Sequence, residues 1–318
     1  MCHRSVVLLG HVAAADPGLF PCVQRGDGST MGPMKAVTEP AGLADLRSRR
    51  LVECRLTPDR ALGSLDDAEA FLLDRGMLTR TTDSALPSLY EACHEEPYRP
   101  GTPGFGTWPL TKWPWFGQLA SRGYLVTAVH RGKNMIVSGE VARLLDPICR
   151  AEIARMRAAD DGWRRLLDHL AATGPASVED LPAELGLKRQ EVKALRSPLE
   201  RCGAIVSRSL QMTGGADDPH ASELARWDQV YPGGAAAEGP GQSNTAAEGP
   251  GQSNTAADPR AAFAELVVAG VRAAVVAPER ELRRWFSWQW YWTDSLVDDL
   301  VREGRLRRTG DHVAAADR

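Results

Sequence analysis

Apolar residues recur at helical spacing in three separate parts of this chain, and each part ends in an alternating stretch typical of a β-hairpin. The first helix is expected to begin at Ser64, because Ser64 and Asp67 have the spacing of a capping box. An apolar stripe then runs from Leu65 to Leu72. The pattern therefore predicts that ordered structure starts near residue 62.

Two further helices and a hairpin are expected in the first part. One helix is predicted over residues 84–94, where apolar residues share one face, and a short one follows Pro114. Residues 124–130 and 135–138 then alternate on either side of a basic turn at 131–134. Three helices followed by a hairpin are typical of a winged helix.

The same order of elements returns in the second part. A helix is expected around Trp163–Leu170, and a short helix opens at Ser177 and ends at Gly186. A longer helix ends at Gly203, and residues 204–212 then read as a strand leading to a glycine turn. The second part is thus expected to repeat the first.

The third part carries the pattern once more. Residues 263–274 form a helical apolar stripe, Pro278 is expected to start a second helix, and Thr293 to cap a third. Residues 305–314 predict a short hairpin. Between the last two helices, the alternating tryptophans of 288–292 predict three indoles on one side, filling the core or forming a base-stacking platform.

The expected fold is mainly α with small β-hairpin wings, an α+β class built from tandem winged-helix modules. Residues 232–258 are low in complexity and contain a tandem decapeptide repeat, typical of a flexible linker. The expected divisions are a disordered extension at 1–61, a module with a candidate active loop at 62–150, a second module at 151–231, the linker at 232–258, and a third module at 259–318.

Composition is that of a globular protein, with 43% hydrophobic residues and a formal net charge of −3 over 318 residues. This charge excludes a histone-like protein that binds through bulk positive charge. The six cysteines have no Cys-x-x-Cys spacing, and no stretch has the length of a signal peptide core or a transmembrane span. A cytoplasmic protein without a membrane partner is expected.

Charge is distributed unevenly along the chain. Residues 112–157 hold eight Lys or Arg residues against three acids. Such a stretch is typical either of a solvated helical face or of a surface that contacts phosphate.

The residue types suited to chemistry are concentrated between residues 89 and 138. His94, Glu95 and Glu96 stand directly before Pro97, and three tryptophans follow within residues 108–115. Carboxylates next to aromatic rings and a basic hairpin would suit a site that acts on a nucleobase. The carboxylates could equally be solvated at a helix end, and His94 could be a half-buried structural residue.

On these features the chain resembles the AlkZ/YcaQ family of bacterial DNA glycosylases, and more specifically the AlkZ-related proteins of actinomycetes. The resemblance rests on Leu65–Leu78, Leu89–Glu96, Val129–Val137, Trp163–Met212 and Ala261–Ala314. That family carries Gln-x-Gln or Gln-x-Asp in its active loop and Met-Arg-Gly-Thr-Leu-His in its hairpin. This chain has His94-Glu95-Glu96 in the first place, and in the second it keeps Arg131-Gly132 but has Met135 instead of the histidine.

The resemblance implies a DNA-binding protein that hydrolyses the N-glycosidic bond of alkylated bases. Glu96 would then activate water and His94 would assist. The residues expected to contact DNA are Arg131, Lys133, Lys112, Trp113, Trp115, Lys188 and Arg189. No metal or cofactor is expected, the partner is DNA, and the protein is expected to be a monomer.

The alternative function is a non-catalytic DNA-binding protein or regulator. It would use the same basic hairpin together with two helices that resemble recognition helices, Lys188–Arg201 and Thr293–Glu303. The sequence feature that distinguishes the two functions is the glutamine pair of the family's active loop, which this chain lacks.

Overall fold

The computed structural model describes residues 42–209, 222–231 and 258–316. The capping box predicted at the first helix of the first unit is present. Asp67 N donates to Ser64 Oγ at 3.1 Å, and Ser64 N donates back to the Asp67 carboxylate at 3.0 Å. Helix α2 therefore starts at Leu65 and runs to Arg75, where Gly76 ends it with a left-handed φ of 78°.

The first unit continues from α2 into a small antiparallel sheet. Its further elements are β1 (Met77–Thr79), a 3₁₀ turn (Glu91–Cys93), α3 (Trp115–Ser121), β2 (Leu125–His130) and β3 (Lys133–Val137). The predicted helix after Pro114 and the predicted hairpin are both confirmed.

The predicted helix over residues 84–94 is wrong, since only the 3₁₀ turn forms there. Pro87 disfavours a helical conformation at the residue before it. The segment instead runs beside β1, where Thr79 N donates to Pro87 O and Leu89 N to Thr79 O, both at 2.9 Å. Its apolar side chains are buried in this extended form.

A long helix that the patterns did not single out leaves the first hairpin. Helix α4 runs from Gly139 to Ala159 and is capped by Ser138, whose hydroxyl accepts from Val141 N. It packs against the first helices of both later units. The expected module boundary between residues 150 and 151 falls inside α4, so one continuous helix joins the first two units.

The second and third units have the predicted helices and hairpins, together with a short strand after the first helix that was not predicted. Ser177, expected to open the short helix of the second unit, lies in that strand, and the helix starts at Leu181. The second contains α5 (Asp161–Thr173), β4 (Ala176–Ser177), α6 (Leu181–Leu185), α7 (Arg189–Arg201), β5 (Ile205–Ser209), β6 (Ser222–Arg226) and α8 (Trp227–Val230). The third contains α9 (Pro259–Ala274), β7 (Val276–Pro278), α10 (Glu279–Leu282), α11 (Leu296–Arg302), β8 (Leu306–Thr309) and β9 (His312–Ala315). Ser295, and not Thr293, precedes the last helix.

Each unit contains a three-stranded antiparallel sheet of the same topology. The orders are β1-β3-β2, β4-β6-β5 and β7-β9-β8, so the short first strand pairs with the last strand of the hairpin in every case. The α+β class is therefore confirmed. The glycine turn at 214–215 and nearly all of the repeat-containing stretch, 232–257, lie outside the described residues.

The expectation of disorder over residues 1–61 is wrong for part of that range, while residues 1–41 lie outside the described part. Helix α1 spans Leu43–Glu53 and buries Leu43 and Leu46 against β7 of the third unit. Arg50 Nη1 donates to Ala85 O at 2.6 Å and to Ala274 O at 2.7 Å. This helix gains its stability from tertiary contacts, which local periodicity does not show.

Candidate functional site

The loop expected to carry catalysis is held in place by two of its own polar residues. His94 has a left-handed φ of 47°, and its Nε2 lies 2.7 Å from the carbonyl oxygen of Arg55. The Glu95 carboxylate accepts from Thr111 N at 2.8 Å, from Lys112 N at 3.1 Å and from Thr111 Oγ1 at 2.8 Å. His94 and Glu95 therefore position the loop.

Glu96, the residue expected to activate water, lies on the surface, whereas that role needs a carboxylate enclosed beside the substrate. The residue is exposed, and its carboxylate has no hydrogen bond or ion pair with any described residue. Directly after it, Tyr98 N donates to Trp108 O at 2.7 Å, so the chain folds back on itself. This closure leaves Glu96 outside the packed part of the loop.

The basic hairpin tip converges on one carboxylate that sequence reasoning did not identify. Asp83 lies 2.7 Å from His130 Nε2, 3.1 Å from Arg131 Nη2 and 2.5 Å from Lys133 Nζ. Arg131 also donates to the Asp83 carbonyl at 2.8 Å. Two residues expected to contact DNA are thus already paired within the protein.

His130 connects this cluster to the third unit. Its ring is fully buried, with Nδ1 2.6 Å from the carbonyl oxygen of Trp285 and Nε2 facing Asp83. Burial raises the pKa of Asp83, but the hydrogen bonds from His130 and Lys133 outweigh it and hold that pKa well below its usual range. Both ring nitrogens of His130 thus have a hydrogen-bond partner inside the protein.

Helix α7 presents exposed cations that, unlike Lys133 of the hairpin, have no acidic partner among the described residues. Lys188 and Arg189, both expected DNA contacts, are exposed at its start, and Lys193 follows on the same face one turn later. None of the three side chains forms an ion pair with a described residue. Lys193 could have been found from its spacing of four residues from Arg189.

The end of α7 lies against the hairpin of the first unit. A Cβ built on Gly132 would stand 3.0 Å from Arg201 Cγ, so the aliphatic stem of Arg201 covers the turn. Arg201 is exposed and has no ion pair with a described residue. We call Lys188, Arg189, Lys193 and Arg201 the basic stripe.

The three remaining expected contacts have different roles in the structure. Lys112 Nζ lies 3.2 Å from Glu95 Oε1 and above the Trp115 ring. Trp115 is partly buried against the core of the first unit, whereas Trp113 is 40% exposed. Of these side chains, Trp113 is the one that can stack on a ligand.

The tryptophans of 288–292 do not share one side as alternation predicted. A 3₁₀ turn (Gln289–Tyr291) breaks the alternation; Trp288 is buried and donates to Cys202 O, and Trp290 donates to the buried Glu152. The nearby helix α11 presents Asp298 and Asp299, which pair with arginines. Trp288 and the buried end of Trp290 therefore serve packing, and the charges of α11 are already compensated.

A cavity of about 540 Å³ lies apart from all the expected residues, beside α4. Four arginines line it: Arg150, Arg157, Arg164 and Arg226. Each forms an ion pair with an aspartate, so the cavity has no uncompensated charge on its rim.

Within the described ranges, no three His, Cys, Asp or Glu side chains gather in a way that could hold a metal ion, the residues around His94 included. In the same ranges, no helix has both the length and the apolar character needed to cross a membrane. Comparison of the chain with protein families, with curated proteins and with solved structures gave no significant match.

Proposed function

We propose that this protein binds duplex DNA, with α7 of the second unit as the helix that enters the major groove. In each unit a helix, a short strand, further helical segments and a hairpin follow one another with the same strand order, the helical segments numbering two in the first and second units and three in the third. This arrangement supports a tandem winged-helix architecture, in which the third helical segment is the one that reads DNA.

The observation that carries the proposal is the uncompensated charge of the basic stripe. Arg189 and Arg201 are separated by about 18 Å of helix, which exceeds the roughly 12 Å width of the major groove. Cations spread over this length without acidic partners would neutralise phosphates and release counterions. The equivalent helices do not share this character, since α3 has no charged residue and α11 carries two aspartates.

The geometry supports binding better than base excision. A general base must lie within hydrogen-bonding reach of a bound water beside the sugar. Glu96 is exposed without a partner among the described residues, and His94 Nε2 is engaged by a backbone carbonyl. The proposal is therefore DNA binding, with no residue assigned to catalysis.

The test is fluorescence anisotropy with a labelled duplex over a series of salt concentrations. An Arg189→Ala/Lys193→Ala variant should flatten the slope of log K against log salt by roughly 0.9 for each phosphate that the variant no longer neutralises. The matched control is Arg157→Ala/Arg164→Ala, which removes two exposed arginines that have aspartate partners at the cavity beside α4. Absence of binding at low salt, or an equal effect of the control, would overturn the proposal.

A further inference from the structure

Exposed aromatic rings are concentrated in the loop of residues 97–115, which we call the aromatic loop. Tyr98, Phe105 and Trp113 are 36%, 41% and 40% exposed. Their rings contact one another and Trp108 at centroid distances of 4.9 to 6.4 Å. Large aromatic surfaces are usually buried, and a group of exposed ones marks a site of interaction.

The aromatic loop is supported by hydrogen bonds within it and from the rest of the first unit. Tyr90 donates its hydroxyl hydrogen to Trp113 O at 2.7 Å, and Tyr98 N donates to Trp108 O at the same distance. The Glu95 carboxylate fixes residues 111 and 112 from the other side. The exposed rings are therefore presented on a supported surface, which lowers the entropic cost of binding.

Arginine side chains lie against these rings, and the two carboxylates that directly precede the loop are Glu95, which pairs with Lys112, and the exposed Glu96. No acidic residue occurs from position 97 to position 139. The Arg99 guanidinium lies 5.4 Å from the Tyr98 ring centre and 5.6 Å from that of Phe105. A ligand that carries negative charge is favoured here over a neutral or cationic one.

Arg80 adds a cation that the protein itself does not neutralise. Its guanidinium lies 4.8 Å from the Trp108 ring centre and 5.9 Å from that of Phe116, and it has no ion pair with a described residue. The side chain is only partly exposed, so its charge is partly desolvated without a carboxylate to compensate. An anionic ligand group would relieve this cost.

We propose that the aromatic loop binds unpaired nucleobases, with Trp113 and Tyr98 as stacking surfaces and Arg80 and Arg99 beside the phosphates. Anionic backbone and flat ring faces occur together in nucleic acid, and the loop offers the complement of both. Bases inside a duplex have their faces covered by neighbours, so only unpaired or extruded bases can use the rings. This proposal rests on the proposed function and extends it to DNA in which an unpaired segment adjoins a duplex.

The experiment compares the binding of the full chain to a perfect duplex and to the same duplex with a bulge of unpaired thymines. Stacking of a base on an aromatic side chain is worth about 1–3 kcal/mol, so the bulged DNA should bind about tenfold more tightly. Trp113→Ala should remove this preference and leave the affinity for the perfect duplex within about twofold. Leu110→Ala is the matched control, because Leu110 is 50% exposed on the same loop but has no ring.

Several outcomes separate this proposal from the proposed function. Equal affinity of the wild-type protein for bulged and perfect duplexes, with binding of both, would overturn the loop proposal alone. Loss of the preference in Leu110→Ala as well as in Trp113→Ala would overturn it too, because an aromatic ring would not be required. If Trp113→Ala lowers the melting temperature, Tyr98→Ala and Arg80→Gln replace it, and retention of the preference in both variants would count against the loop. Absence of binding to either DNA at low salt would overturn both proposals.

Discussion

The carboxylate of Asp83 lies 2.7 Å from Nε2 of His130, which is completely buried, although 47 residues separate them in the chain. Nδ1 of the same ring faces the carbonyl of Trp285 in the third unit. One histidine thus joins the loop before the 3₁₀ turn, the first hairpin and the third unit. Four predictions concern this junction and the adjoining hairpin and α7.

The first prediction is that Asp83→Asn destabilises the fold by about 2 kcal/mol, because a largely buried carboxylate that accepts from His130 and pairs with Arg131 and Lys133 is replaced by a neutral amide. Urea denaturation measures this difference. Asp168→Asn is the matched control, since Asp168 pairs with Arg157 on the surface, where such pairs contribute about 0–1 kcal/mol. Equal effects of the two substitutions would show that the Asp83 cluster is not a structural centre.

The second prediction concerns the stability of the fold at acid pH. The pKa of Asp83 is lowered in the folded state, so its ionisation stabilises the fold above the unfolded pKa of about 3.9. That contribution is lost as the pH falls below about 4 toward the folded pKa. The difference in unfolding free energy between the wild type and Asp83→Asn should therefore shrink below pH 4. A constant difference from pH 7 to pH 3 would contradict this.

The third prediction concerns the hairpin cations. Because Asp83 pairs with Arg131 and Lys133, Lys133→Ala should change the salt dependence of DNA binding less than Lys193→Ala does. Lys193 has no acidic partner among the described residues, so its full charge is available to phosphate. Anisotropy titrations of the two variants give the comparison. A larger effect of Lys133→Ala would place the main DNA contact on the hairpin.

The fourth prediction tests how α7 is held. Gly203 follows α7 with a φ of 75°, and a Cβ there would stand 2.5 Å from Cys149 Sγ and 3.1 Å from Val129 Cγ1. Gly203→Ala should destabilise the protein by about 2–3 kcal/mol through strain and overpacking. Gly186 has a similar positive φ, but a Cβ built there would meet no atom within 4 Å. Gly186→Ala should therefore destabilise the protein by only about 1 kcal/mol. Thermal or urea unfolding distinguishes them.

Local patterns predicted the elements whose signals are contained in a few residues. The capping box at Ser64, the short helix after Pro114 and the hairpin around Arg131 formed as expected, because caps, proline geometry and alternation act within one or two turns of chain. The helix expected over 84–94 did not form. The apolar spacing there suits a helix, but Pro87 disfavours helical backbone at the residue before it, and the segment pairs with β1 instead.

The candidate site shows the same contrast between what local sequence predicts and what tertiary contacts decide. The order of residues was enough to tell which of them carry charge and aromatic surface, and it placed Lys188 and Arg189 at the start of an amphipathic helix. Packing between distant segments determined that Arg131 and Lys133 share the carboxylate of Asp83, that Glu96 is exposed, and that Arg201 meets the hairpin turn. The physical reason is that the environment of a charge depends on groups far away in the chain. Periodicity fixes the face of a helix on which a residue lies, but it does not determine which partner or solvent that face meets.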